Sequence, residues 1–195
     1  MKVMYKLIIQ TFDFSYGFLE DISTNAKSIY KIEIVEIPAN RTLPEQILLK
    51  PKSLLAKFFM KGRKMVYIND LLDELKRLFC VHPGTILLAI LPHYVLGLGE
   101  SLVGLTPEPR ISIVSTYSID KKHLFEACIG ISLHEIGHAL ELGHCKVKGC
   151  LMKAPCKPEN FYGGVYMLCR KHQLEIEEIS RLKNEGKAKG DNTLR

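Results

Sequence analysis

The chain has 195 residues, of which 25 % are charged and 47 % hydrophobic, and carries a net charge of +6. That length builds one substantial core, and that apolar content excludes an intrinsically disordered chain. No run approaches the roughly twenty uninterrupted apolar residues of a membrane helix, and the opening Met1 to Gln10, broken by Lys6 and Gln10, lacks an export signal, so a cytoplasmic chain is expected.

In chain order the patterning alternates between strand and helix. Val3 to Ile9 reads as a first strand, Phe18 to Tyr30 as a helix, Lys31 to Ile37 as a second strand and Pro38 to Pro51 as a connection. Lys52 to Lys61 suits a short helix and Met65 to Ile68 a buried strand. Asn69 or Asp70 would then cap a helix over Leu71 to Cys80. Thr85 to Leu91 is a continuous apolar strand, and the glycine-punctuated Tyr94 to Leu105 suits an edge strand or hairpin able to pair with a peptide. Arg110 to Ser115 forms a further strand. Asp120 caps a long helix from Lys121 to about Leu142, and a last helix spans about Lys171 to Lys183 before a frayed polar tail. The expected class is α/β, beginning with parallel strands.

The long helix carries His134-Glu135-Ile-Gly-His138 and continues through Glu141 to His144. Residues four apart share a helical face, so His134 and His138 aim two imidazoles at one ion, while His144 can join them only if the chain leaves the helix. Gly143 is the natural place for that reversal. Three neutral imidazoles leave zinc a fourth position for a water whose pKa falls towards roughly 7, and Glu135, not itself a ligand, is placed to act as general base.

A second cluster follows. Cys145, Cys150 and Cys169 combine with His172, or alternatively with Cys156, into a closed set of four donors of the kind that holds structural zinc. The Cys169-Arg-Lys-His172 chelate favours His172. With no export signal, metal ligands are favoured over disulfides. Cys80 and Cys128 read as buried small hydrophobes, and the isolated His82, His93 and His123 as surface or loop residues. The basic residues are scattered, apart from clusters at Lys57 to Lys64 and Arg181 to Lys189, which suits solvated surface better than a nucleic-acid footprint.

The order His144-Cys145, four residues, Cys150, one residue, Met152, sixteen residues, Cys169-Arg-Lys-His172 resembles the archaemetzincins, zinc peptidases of the metzincin clan. The resemblance is detailed from Gly130 to about His172. It implies a metzincin-like mixed twisted sheet with a long active-site helix in residues 1–143, and a small zinc-stapled C-terminal subdomain in 144–195. It also implies two zinc ions per chain, a peptide or protein substrate, and a hydrophobic floor beneath the catalytic zinc formed by Met152.

Three departures from the family pattern stand out. Glu141 occupies the turn-glycine position, the interval after Met152 is one residue short, and His172 replaces the last cysteine of a Cys-x-x-Cys pair. A left-handed backbone at Glu141 would cost about 1 kcal/mol, unless Gly143 takes the turn. No tyrosine follows Met152 closely, leaving Tyr162 or Tyr166 as the groups that could reach back to stabilise an oxyanion. The reading that follows is a zinc metallopeptidase. The alternatives are a non-catalytic zinc-stapled protein- or peptide-binding module and a nucleic-acid-binding zinc module.

Overall fold

The computed structural model describes residues 5–49, 64–80, 82, 84–97 and 103–188, and the side chains of these up to 181. The expected helix over Lys52 to Lys61, the first residues of the first strand and the tail beyond 188 lie outside the described residues.

A five-stranded sheet is the frame. It is built from β1 (Lys6–Thr11), β2 (Ile34–Glu36), β5 (Thr85–Leu91), β7 (Gly104–Glu108) and β8 (Ile111–Ser115) in the order β2-β1-β5-β8-β7. The first three contacts are parallel, as the sequence suggested, and β7 closes the edge antiparallel to β8. All seven residues of β5 are buried because both faces of the sheet are covered. Leu7, Ile9, Ile86, Leu88 and Ile90 face one core, while Ile8, Leu87, Ala89 and Leu91 face the other, as a period of two requires.

A smaller sheet holds β3 (Leu48–Leu49), β4 (Met65–Tyr67) and β6 (Tyr94–Leu96). It packs with α2 (Ile68–Leu78) on the second core. The first core takes α1 (Leu19–Tyr30), α3 (Leu124–Ala139) and the chain after it, so Leu151, Met152, Phe161 and Ile176 share one apolar cluster with Leu7 and Ile131. The last helix is α4 (Arg170–Ala188). No helix among the described residues is long and apolar enough to cross a membrane.

Several boundaries differ from the sequence reading for identifiable reasons. Strand β2 starts only at Ile34 because Lys31 ends α1 in the left-handed conformation, φ 58°, and Ile34 is the first residue to find a partner on β1. The connection after Pro38 is not structureless, since it contains a 3₁₀ turn at Glu45–Ile47 and β3. Neither Asn69 nor Asp70 caps α2: the helix begins at Ile68 behind Tyr67, so both residues fall in its first turn. Tyr94 to Leu105 is not one hairpin, because β6 joins the small sheet and β7 starts at Gly104. Arg110 lies in the turn before β8 with φ 71°. Asp120 does cap the long helix, accepting from Lys122 N at 3.0 Å, but the first turn is 3₁₀ and α3 stops at Ala139 rather than Leu142. Helix α4 runs five residues past Lys183, into the segment expected to fray.

Candidate catalytic site and metal centres

Helix α3 is apolar on nearly every side, which suits a helix buried between the sheet and the C-terminal chain. Two glycines permit that burial. A Cβ on Gly130 would stand 2.2 Å from Phe161 Cγ, and one on Gly137 would stand 2.4 Å from Met152 Sδ. Gly137 lies on the turn between the two histidines, so the fully buried Met152 packs under the helix where the imidazoles emerge.

The helix ends in a Schellman turn. Leu142 N donates to Gly137 O at 3.0 Å and Glu141 N to His138 O at 2.8 Å, which puts Glu141 in the left-handed position with φ 70°. Gly143 does not take a positive φ, so the reversal expected there occurs two residues earlier. The location of the turn is counted from the last helical carbonyls, and that count selects Glu141.

The reversal brings His144 back over the helix. The Nε2 atoms of His134, His138 and His144 lie 3.0 Å (134 to 138), 3.0 Å (138 to 144) and 3.3 Å (134 to 144) apart. His134 Nδ1 donates to Leu151 O at 2.7 Å and His138 Nδ1 donates to Leu142 O at 2.9 Å. Those bonds leave both Nε2 atoms as lone pairs, which cannot hydrogen-bond each other. Zinc–nitrogen bonds of about 2.0–2.1 Å place tetrahedral donors about 3.3 Å apart, so the trio fits zinc. Burial holds His134 down to about 4 and His138 below the ordinary histidine range, keeping both rings neutral as ligands must be.

Glu135 is 4 % exposed, and burial pushes its carboxyl up to about 7. Thr106 Oγ1 donates to Glu135 Oε2 at 2.8 Å, which opposes that rise, and Ser112 Oγ donates to the Glu135 carbonyl at 3.0 Å. Both hydroxyls come from the β7–β8 hairpin and have no signature in the sequence. Gly104 permits the approach of β7, since a Cβ there would meet Glu135 Oε1 at 2.8 Å. The edge strand therefore lines a cleft of about 760 Å³ together with His134, Glu135, His138, Pro155 and Cys156.

The second group of donors also assembles. One ligand atom each from Cys145, Cys150, Cys169 and His172 lie within 4.8 Å of one another. His172 Nδ1 is 3.3 Å from Cys150 Sγ and 3.4 Å from Cys169 Sγ, against about 3.6 Å expected from ordinary zinc–sulfur and zinc–nitrogen bonds. Its Nε2 faces Glu175 at 3.7 Å. Burial pushes the Cys150 thiol up to about 11, so a thiolate there calls for a bound cation. Cys156, the alternative fourth ligand, instead lines the cleft over the three histidines.

Other expectations are corrected. Tyr162 stacks on His123 with ring centroids 3.9 Å apart, and Tyr166 donates to Glu126 O at 2.9 Å, so neither reaches the imidazole trio. His93 lies in the loop between β5 and β6, as one of the two expectations had it, but is buried there against Asp13, with Nε2 2.9 Å from Oδ2. Cys80 is exposed because α2 ends before it, whereas Cys128 is buried as expected.

No protein-family model matches the chain, and no curated protein matches it. Solved structures do. The archaemetzincin of Methanopyrus kandleri superimposes with a TM-score of 0.64 at 22 % identity, covering 92 % of this chain and 97 % of the other. A zinc-dependent peptidase from Methanocorpusculum labreanum gives 0.60 at 18 %, covering 87 % and 99 %. The malonate complex of the archaemetzincin of Archaeoglobus fulgidus gives 0.60 at 16 %, also covering 87 % and 99 %. With the long histidine-bearing helix, the mixed sheet and the C-terminal Cys/His cluster in the same chain, this protein has the archaemetzincin fold.

Proposed function

We propose that the chain is a zinc-dependent peptidase in which His134, His138 and His144 hold the catalytic ion and Glu135 is the general base. The observation that carries the reading is the convergence of three Nε2 atoms within 3.3 Å beside a buried carboxylate. Zinc supplies a Lewis acid that polarises a carbonyl and acidifies water. The protein's own part is proton transfer and alignment. Glu135 takes the proton of the attacking water and returns it to the leaving nitrogen. Strand β7, at the sheet edge, offers backbone groups to an extended peptide, which aligns the scissile bond over the trio.

A second zinc in Cys145, Cys150, Cys169 and His172 would staple the C-terminal segment to the core, giving two ions per chain. The apolar cluster shared by residues on both sides of His144 supports one catalytic unit of two parts, 1–143 and 144–195. Six free cysteines suit a reducing compartment, and we assign the chain to the cytoplasm. The peptide substrate is supported by the peptidase of Methanocorpusculum labreanum, which shares the fold.

The test is hydrolysis of a mixed peptide library by the zinc-loaded protein and by Glu135→Gln, read by mass spectrometry. Loss of a general base lowers turnover by about 10² or more while zinc content stays equal. Equal turnover in both proteins, or none in the native chain, would remove the assignment in favour of a zinc-stapled binding module.

A further inference from the structure

The residue that replaces the turn glycine has an unusual neighbour. Glu141 holds φ 70°, a conformation that a residue with a Cβ adopts only against a steric penalty, and its position decides where His144 lands. The guanidinium of Arg110, 31 residues earlier on the β7–β8 turn, spans the end of the helix. Its Nη1 donates to Ala139 O at 2.8 Å and its Nη2 to Glu141 Oε1 at 3.1 Å. Arg110 itself holds φ 71°, its side chain is 15 % exposed, and its guanidinium lies 5.2 Å from the Tyr5 ring centroid. Two donors of one rigid fork are thus committed to the last turn of α3 and to the residue that leaves it.

We infer that Arg110 is a positioning residue for metal binding: by holding Ala139 O and the Glu141 carboxylate together, it fixes the left-handed turn that a glycine would adopt unaided, and so delivers His144 to the other two imidazoles. A glycine in this place has no steric barrier to that turn and no need of a partner. The glutamate supplies both the barrier and the handle by which it is overcome. Ion pairs at an exposed carboxylate are weak alone, but this guanidinium is mostly buried and also satisfies a carbonyl of the helix end that has no partner further along the chain in the Schellman pattern.

The inference rests on the reading of His134, His138 and His144 as a metal site. Its test is metal affinity, not turnover. The metal-free full chain is titrated with Co²⁺, following the visible bands of the nitrogen-ligated ion separately from the thiolate charge-transfer bands of the Cys/His cluster, in the native chain, Arg110→Ala, and Arg110→Ala with Glu141→Gly. Arg110→Ala is expected to weaken the imidazole site roughly three- to tenfold with the thiolate site unchanged, and the added Glu141→Gly to bind more tightly than Arg110→Ala alone. Native affinity in Arg110→Ala overturns the inference, as does a loss that the glycine leaves unimproved or one shared equally by the thiolate site. If Arg110→Ala does not fold, Arg110→Lys is compared with Arg110→Lys/Glu141→Gly by the same criterion. A native chain that takes up no cobalt at the imidazoles overturns the metal-site reading itself, whereas indifference to Arg110 in a chain that does bind overturns only the latch.

Discussion

Thr106 Oγ1 stands 2.8 Å from Glu135 Oε2, joining the edge strand of the sheet to the acidic group of the histidine-bearing helix by one hydrogen bond. That bond stabilises the carboxylate against the burial that pushes its pKa up. A general base works only when deprotonated, so Thr106→Val shifts the acid limb of the pH–rate profile upward. Turnover near neutrality falls about tenfold with little change in KM, in line with the worth of a hydrogen bond to a charged group. An acid limb that stays in place in Thr106→Val would show that the hydroxyl does not act on Glu135.

Glu135 is also expected to lower the stability of the metal-free protein. Its folded pKa of about 7 lies above the ordinary 4.5, so between those values the folded state binds more protons than the unfolded state and stability falls as pH rises. Above pH 7 the whole cost of the buried carboxylate is present, up to about 3 kcal/mol. Glu135→Gln should therefore melt higher than the native chain at about pH 8 with metal removed from both, and the gap should close below about pH 4.5. Calorimetry over that range checks the sign.

Zinc uptake at the Cys/His cluster should release protons. The Cys150 thiol, pushed up to about 11 by burial, is protonated at neutral pH and must lose its proton to become a ligand. Affinity at that site is expected to rise by at least about tenfold per pH unit between about pH 6 and pH 8. Titration calorimetry in buffers of different ionisation enthalpy counts the protons directly, and a pH-independent affinity would contradict the ligand set.

Gly130 and Gly137 ought to respond differently to alanine. At Gly130 the new methyl meets Phe161 Cγ and Cβ, close to the backbone, at 2.2 and 2.7 Å. The resulting overpacking outweighs the gain of about 1 kcal/mol in helix propensity and lowers the melting temperature by roughly 3–6 °C. At Gly137 the first contact is the thioether of Met152, which can shift, so the loss of stability is smaller. Its displacement instead disturbs the floor under the imidazoles and weakens metal binding. The two variants compared by melting and by chelator competition should rank oppositely.

The residues of the two converging clusters could be picked out from the sequence because their spacing is local. A helix fixes the relation of His134 to His138 within one turn, and short chelating pairs fix the cysteine cluster. The α/β class and the parallel start of the sheet followed from period and run length in the same way, whereas the strand order β2-β1-β5-β8-β7 had no sign in the sequence. The groups that tune the site were not legible. Thr106, Ser112 and Arg110 reach the helix from a hairpin more than twenty residues away, and a hydroxyl or guanidinium on a hairpin looks like any solvated side chain until the register is known. Gly143 attracted the turn on propensity, but the hydrogen-bond count from Gly137 and His138 placed it at Glu141. His93 stands in a loop as expected, but its burial against Asp13, eighty residues away, has no local sign.

The carbonyl that orients the His134 ring belongs to Leu151, whose neighbours are Cys150 on one side and Met152 on the other. Three consecutive residues thus touch a thiol donor, the acceptor of an imidazole N–H and the floor beneath the trio. Any motion of the sulfur-rich knot is passed along two peptide units to the ring that would face the substrate. The two centres share a single backbone girder, and stripping the buried one would tilt the other before any imidazole is itself touched.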